Sequence, residues 1–172
     1  MLDNKVFIEC NTPPKKATII KPLLVFTYKY DSNGDIIKRK ARLAARGCTQ
    51  EAGVDFSDTF TFTPTLHQDV LWILCSVSAY NKYKIHQIDV KAAAAYLNAD
   101  LKENIYLECP EGYKNKNSKY WKLIKALYGL KQAGRAWNEK LNMELNNIKF
   151  KRSMSVKTWL SQSHFKLKIF LV

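Results

Sequence analysis

An α+β fold made of antiparallel hairpins and two or three helices is what this 172-residue sequence predicts, and three observations carry the prediction. Two strand-like runs flank an Asn33-Gly34 pair, two segments repeat apolar residues at helical spacing, and further short β-rich runs stand between and after them. No repeat and no low-complexity stretch interrupts the pattern except Ala92-Ala93-Ala94-Ala95.

The first element is a hairpin. Leu24–Tyr30 and Ile36–Leu43 are joined by Asp31-Ser32-Asn33-Gly34-Asp35, and Asn-Gly between two strand-like runs is the strongest short hairpin signal. Alternation along the second strand puts Lys38, Lys40 and Arg42 on one face, spaced about 6 to 7 Å apart, and Ile37, Arg39, Ala41 and Leu43 on the other. Such a row suits either a run of phosphates or a solvated strand face. After a loop over Asp55–Thr63, Pro64 and Thr65 precede a helical pattern at Leu66, Val70, Ile73, Leu74 and Val77 that runs to about Tyr80. Thr65 and Gln68 fit a capping box, and the simplest role for this helix is core scaffold.

Tyr83–Val90 reads as a short strand, with Ile88 and Val90 facing one way and Gln87 and Asp89 the other. A carboxylate backed in this way is held more rigidly than one on a loop. Asn104–Glu108 and Tyr120–Ile124 form a second strand pair around the polar loop Pro110–Lys119. Ala133–Asn147 is an amphipathic helix with Ala136, Trp137, Leu141 and Leu145 on one stripe. Phe165–Val172 is a last strand, alternating at first and then fully apolar.

Composition narrows the function classes. With 47% apolar and 12% aromatic residues the chain can pack a core, which argues against global disorder. No apolar run approaches the roughly 18 residues of a membrane span, and Met1-Leu2-Asp3-Asn4-Lys5 does not open a secretory signal, so an intracellular, membrane-free protein is expected. The net charge is +13, and residues 114–172 hold 14 Lys and Arg against Glu139 and Glu144 alone. Such asymmetry fits a surface that meets a polyanion, as well as a solubilising tail. Cys10, Cys48, Cys75 and Cys109 lack paired spacing, and His67, His86 and His164 are isolated, so free thiols are expected rather than a zinc site.

Three segments go beyond a generic α+β chain. Lys40-Ala41-Arg42-Leu43, Ala45-Arg46-Gly47 and Thr49-Gln50 resemble the K-A-R-L-V-A-R-G-x-T-Q signature of copia-type LTR retrotransposon reverse transcriptases. Gln87–Lys91, with Ala95–Leu101 and Ile105-Tyr106, resembles that family's first catalytic motif and the strand after it. Ala126–Gln132 with Arg135-Ala136-Trp137 is nearly the family's A-L-Y-G-L-K-Q-x-x-R-A-W block. Phe26–Gly34 and Phe60–Pro64 fall where the family has its W-V-F-x-x-K hairpin and T-F-x-P segment, so the resemblance runs from about Asp3 to Val172.

The resemblance implies part of a Pol polyprotein: an RNA-directed DNA polymerase of right-hand shape, with fingers over 20–65, the start of the palm over 66–110 and fingers/palm over 111–172. It implies an RNA template, a DNA primer, dNTPs and Mg²⁺, and a site of action in a cytoplasmic virus-like particle or the nucleus. Nucleotidyl transfer uses two cations roughly 3.5 to 4 Å apart, held by several converging carboxylates. Asp89 matches the family's first catalytic, metal-binding aspartate. The other two belong to a Y-x-D-D turn that follows an apolar strand like Phe165–Val172, and no Asp or Glu follows Glu144 here. The expectation is therefore a domain truncated before that turn and inactive alone, without thumb or ribonuclease H; the alternative is a non-catalytic, basic nucleic-acid-binding remnant.

By position, the resemblance assigns Lys40 and Arg42 to the incoming triphosphate or template backbone, and Gly129, Lys131 and Gln132 to the segment contacting nucleotide or template. Tyr96 matches the aromatic that screens the sugar 2′ position, but it stands seven residues after Asp89 instead of five. Two extra alanines in 92–95 would displace it by about 6.5 Å in an extended chain, unless a bulge or helical turn absorbs them. Where the family has Pro before Arg-Ala-Trp, this chain has Gly134. Read without the family, Tyr128 and Trp137 are core aromatics, and Asp55 and Asp100 are solvent-facing loop residues.

Overall fold

The computed structural model describes residues 5–15, 17–57, 68–87, 92–113, 118–152, 159–163 and 166–171, with the backbone alone at 86–87, 92–94 and beyond 150. Along the chain run β1 (Phe7–Cys10), β2 (Ile19–Ile20), β3 (Pro22–Tyr30), β4 (Ile36–Ala45), α1 (Gln68–Tyr80), β5 (His86–Gln87) and α2 (Ala92–Leu97). These are followed by β6 (Tyr106–Glu108), β7 (Tyr120–Leu123), α3 (Ala133–Asn147), β8 (Lys151–Arg152), β9 (Trp159–Ser163) and β10 (Lys166–Leu171).

The main core lies on a four-stranded sheet of order β1-β7-β6-β2. Strand β7 pairs antiparallel with β1 and β6, placing Trp121 opposite Glu9 and Leu107. Val6, Ile20, Ile105, Leu107, Trp121, Leu123, Leu127 and Leu130 bury their side chains together, and burial of that apolar surface holds the sheet to the segments around it. Phe7 stacks on Trp121 with ring centroids 3.9 Å apart, and Tyr113 meets the same indole edge-on at 4.9 Å. Glu9 accepts hydrogen bonds from the Tyr113 hydroxyl at 2.6 Å and the Ser118 hydroxyl at 3.0 Å, pinning both ends of the 110–119 loop to β1.

The expected strand pair around that loop and the helix over 133–147 both form, and α3 buries Leu141 and Leu145 with Trp137 packed beside them. The hairpins β3–β4 and β6–β7 are antiparallel as expected, and in addition β2 runs parallel to β6 and β5 parallel to β10. The short strands make these crossovers only through tertiary pairing, which local turn signals do not reveal. Helix α1 ends at Tyr80 as expected, yet among its described residues only Ser78 is buried, while Trp72, Ile73, Val77 and Tyr80 are exposed. Its apolar stripe is therefore not part of the described core. Asp55 is also not solvent-facing: it is 4% exposed, and its carboxylate accepts the Glu51 N–H at 2.9 Å. The proposed capping residue Thr65 lies outside the described residues.

Candidate nucleic-acid interface

The hairpin β3–β4 is held by its own ladder from Pro22↔Ala45 to Tyr30↔Ile36, with a bulge at Lys29/Tyr30. Its turn is closed by Asp31, whose carboxylate accepts the N–H groups of Asn33 and Asp35 at 2.9 Å each. Gly34 takes φ +91°, a conformation costly for other residues. Paired residues share a face, so the register sorts the side chains into two surfaces. Val25↔Arg42, Thr27↔Lys40 and Lys29↔Lys38 put four cations, Lys29, Lys38, Lys40 and Arg42, on one side. Leu24↔Leu43, Phe26↔Ala41 and Tyr28↔Arg39 make the other side aromatic and aliphatic apart from the Arg39 charge, with Phe26 69% exposed.

The cations repel one another. Lys40 is held below the usual lysine range, chiefly by the charge of Lys29, then by desolvation and by Arg42 and Lys38. None of the four meets a carboxylate among the described residues, whereas cations elsewhere do: Lys102 and Arg135 both bind Glu139, and Lys125 binds Asp100. A cluster of like charges without counter-charge is the electrostatic arrangement that a polyanion relieves.

At its root the hairpin interlocks with the Ala126–Gln132 segment. The Ala45 N–H donates to the Tyr128 carbonyl at 2.8 Å, and the Arg46 N–H to the Lys21 carbonyl at 3.0 Å. Gly129 has φ +94°, and a Cβ there would lie 2.1 Å from the Ala45 carbonyl oxygen; a Cβ on Gly47 would lie 1.9 Å from the Gly129 carbonyl oxygen. Each glycine thus makes room for the other segment's backbone. Behind them, the Lys131 N–H donates to Gln50 Oε1 at 2.8 Å and Gln50 Nε2 donates to Gln132 Oε1 at 2.9 Å. Gln132 Nε2 then donates to the Asp55 carbonyl at 3.1 Å.

The residues singled out by sequence are thus partly gathered. Lys40 and Arg42 sit on the cation face, and Lys131 is exposed on the turn beside the hairpin root. Gly129 makes its close backbone approach to Ala45, and Gln132, 3% exposed, spends both amide atoms on Gln50 and Asp55. Tyr96 is half-buried on α2 and stands 6.0 Å from the ring of Tyr128. A helix over 92–97 is the form the alanine-rich segment takes, so the extended-chain displacement does not apply. Asp89 lies outside the described residues. Two residues gain interest only in the structure. Tyr128 is 53% exposed rather than in the core, and Gln50 is buried against the second motif; nothing in a sequence links positions 82 apart, although Gln50 closes the first motif.

Among the described residues no three His, Cys, Asp or Glu side chains converge as a metal site would require, and none of the helices is long and apolar enough to cross a membrane. Cys10, Cys48, Cys75 and Cys109 are free thiols.

The chain thus combines mixed α/β content with a cation-faced hairpin keyed into a glycine turn. The chain belongs to the reverse transcriptase (RNA-dependent DNA polymerase) family, whose model matches residues 4–171. It is 38% identical over 145 residues to the retrovirus-related Pol polyprotein from transposon RE1 of Arabidopsis thaliana, and 35% identical over 144 residues to that from transposon TNT 1-94 of Nicotiana tabacum. Each alignment covers 83% of this chain, which spans 10% of either relative's length. No solved structure matches it.

Proposed function

We propose that this chain is the fingers and first palm portion of a copia-type RNA-directed DNA polymerase, and that its hairpin binds the phosphates of template, primer or dNTP. The observation that carries this reading is the row of Lys29, Lys38, Lys40 and Arg42, which meets no carboxylate among the described residues and is rooted by the interlock of two family motifs. Lys40 and Arg42 meet phosphate directly, Lys131 adds a charge from the neighbouring turn, and Tyr96 with Tyr128 offers an aromatic edge to the sugar or base. Gly129 and Gln132 serve from behind, by shaping that turn.

The family implies a divalent cation such as Mg²⁺. The described residues do not by themselves fit one, and Asp89, the family-matched ligand, lies outside them. Of the family's catalytic carboxylates these 172 residues hold a match to the first alone, and no Asp or Glu follows Glu144. The alternative, a non-catalytic basic nucleic-acid-binding remnant, shares the binding step and performs no chemistry. Titration of a labelled RNA/DNA hybrid over a range of salt tests the binding. Affinity is expected to fall with a log–log slope of about −0.9 per neutralised phosphate. Binding that ignores salt would remove the reading, and primer extension abolished by Asp89→Ala would show that the chain is catalytically sufficient.

A further inference from the structure

We propose that Gln50 is a positioning residue: its buried amide fixes the Tyr128–Gln132 main chain against the hairpin root, and so sets where the exposed Tyr128 and Lys131 stand relative to the cation row. The inference rests on the nucleic-acid-binding reading and goes beyond it by giving a role to a residue that touches no ligand.

Gln50 is 8% exposed, and both ends of its amide are used across a gap of 81 and 82 residues in sequence. The bonds form a chain running one way, from the Lys131 N–H through Gln50 and Gln132 to the Asp55 carbonyl. Bonds so aligned polarise and strengthen one another. The direction is also fixed by chemistry: turning the Gln50 amide over would set its NH₂ against the Lys131 N–H and its oxygen against Gln132 Oε1. Among the described residues, Gln50 Oε1 is the side-chain acceptor of the Lys131 N–H, in a turn that presents the exposed Tyr128 and Lys131. An apolar residue of the same volume would fill the space without specifying the turn's orientation.

The Gln50→Met variant keeps size and charge while removing both bonds, so it separates positioning from packing and from electrostatics. Circular dichroism well below its thermal transition should show a wild-type fold. Amide hydrogen exchange should then quicken at Lys131 and its turn but not in β1, β6 and β7, and affinity for an RNA/DNA hybrid should fall about tenfold. The salt slope should change by no more than about one charge, since no cation has been removed. A second variant, Gln50→Glu, should bind poorly at pH 8 and recover on acidification, because a protonated carboxyl restores the donor to Gln132. Cys48→Glu, exposed and two residues away, controls for the added charge. Should Gln50→Met fail to fold, the acid recovery of Gln50→Glu decides. Gln50→Met with wild-type affinity, or Gln50→Glu with the pH profile of Cys48→Glu, overturns the role while leaving hybrid binding intact. A wild type that binds no hybrid overturns the binding reading and this role with it.

Discussion

Gly47 and Gly129 occupy places where a single methyl group would force two family motifs apart. A Cβ at either would stand 1.9 or 2.1 Å from a carbonyl oxygen of the opposing backbone, which cannot swing aside as a side-chain tip can. Gly47→Ala and Gly129→Ala are expected to cost more than about 3 kcal/mol or to prevent folding. Gly34→Ala, also at positive φ but with nothing within 4 Å, should cost only about 1 to 2 kcal/mol, and urea denaturation would rank the three. Lys40 gives a residue-scale prediction about pH. Its depressed value means that the folded hairpin gains stability as pH rises and Lys29's repulsion is relieved, and loses it as pH falls through that value. Polyanion binding has the opposite preference and favours the charged lysine. Hybrid affinity should therefore weaken as pH rises through the lowered Lys40 value, and Lys29→Gln should move that loss to higher pH. At this scale the sequence exposed which residue types mattered but not whom they met. Gln132 reads as a ligand contact because a polar residue in a family block suggests one. Within the fold its amide bonds Gln50 and Asp55, which are distant in the chain, and that pairing has no local pattern.

Helix α3 was legible to its ends because its stripe is internally periodic and its register needs no partner. Its first turn carries Gly134, around which an added Cβ would find nothing within 4 Å. Gly134→Ala should therefore stabilise the chain by about 0.5 to 1 kcal/mol, read from thermal denaturation, because it lowers the entropy lost on helix formation. On the same helix Glu139 accepts from Lys102 and Arg135, and these partners hold its carboxyl below the usual glutamate range, Lys102 first. That contribution is present above the ordinary glutamate value and disappears as pH falls through the depressed one; exposure keeps it to a few tenths of a kcal/mol. Glu139→Gln should flatten the acid limb of stability slightly without touching hybrid affinity. Helix α1 shows the limit of periodicity. Its apolar spacing announces a helix correctly, but spacing says nothing about what covers the stripe, and Trp72, Ile73 and Val77 stand exposed. Strand β1 left no signal, since Phe7-Ile8-Glu9-Cys10 becomes a strand only by pairing with β7.

For the molecule as a whole, the α+β class followed from the hairpin and helix patterns, while the parallel pairs β2–β6 and β5–β10 depended on contacts no turn residue encodes. The charge pattern was sharpened in the same way. The sequence drew attention to the excess after residue 113, yet the organised cation surface among the described residues lies on the hairpin, where the ladder adds Lys29 to the row. In the proposed function this row binds nucleic-acid phosphate from a root formed by the two interlocked motifs. The most direct measurement compares the salt dependence of RNA/DNA-hybrid binding for the wild type and for Lys40→Gln/Arg42→Gln, with circular dichroism showing both folded. Weaker binding by the variant is expected at every salt concentration, with a log–log slope shallower by about two charges. Equal affinity and equal slope would contradict it.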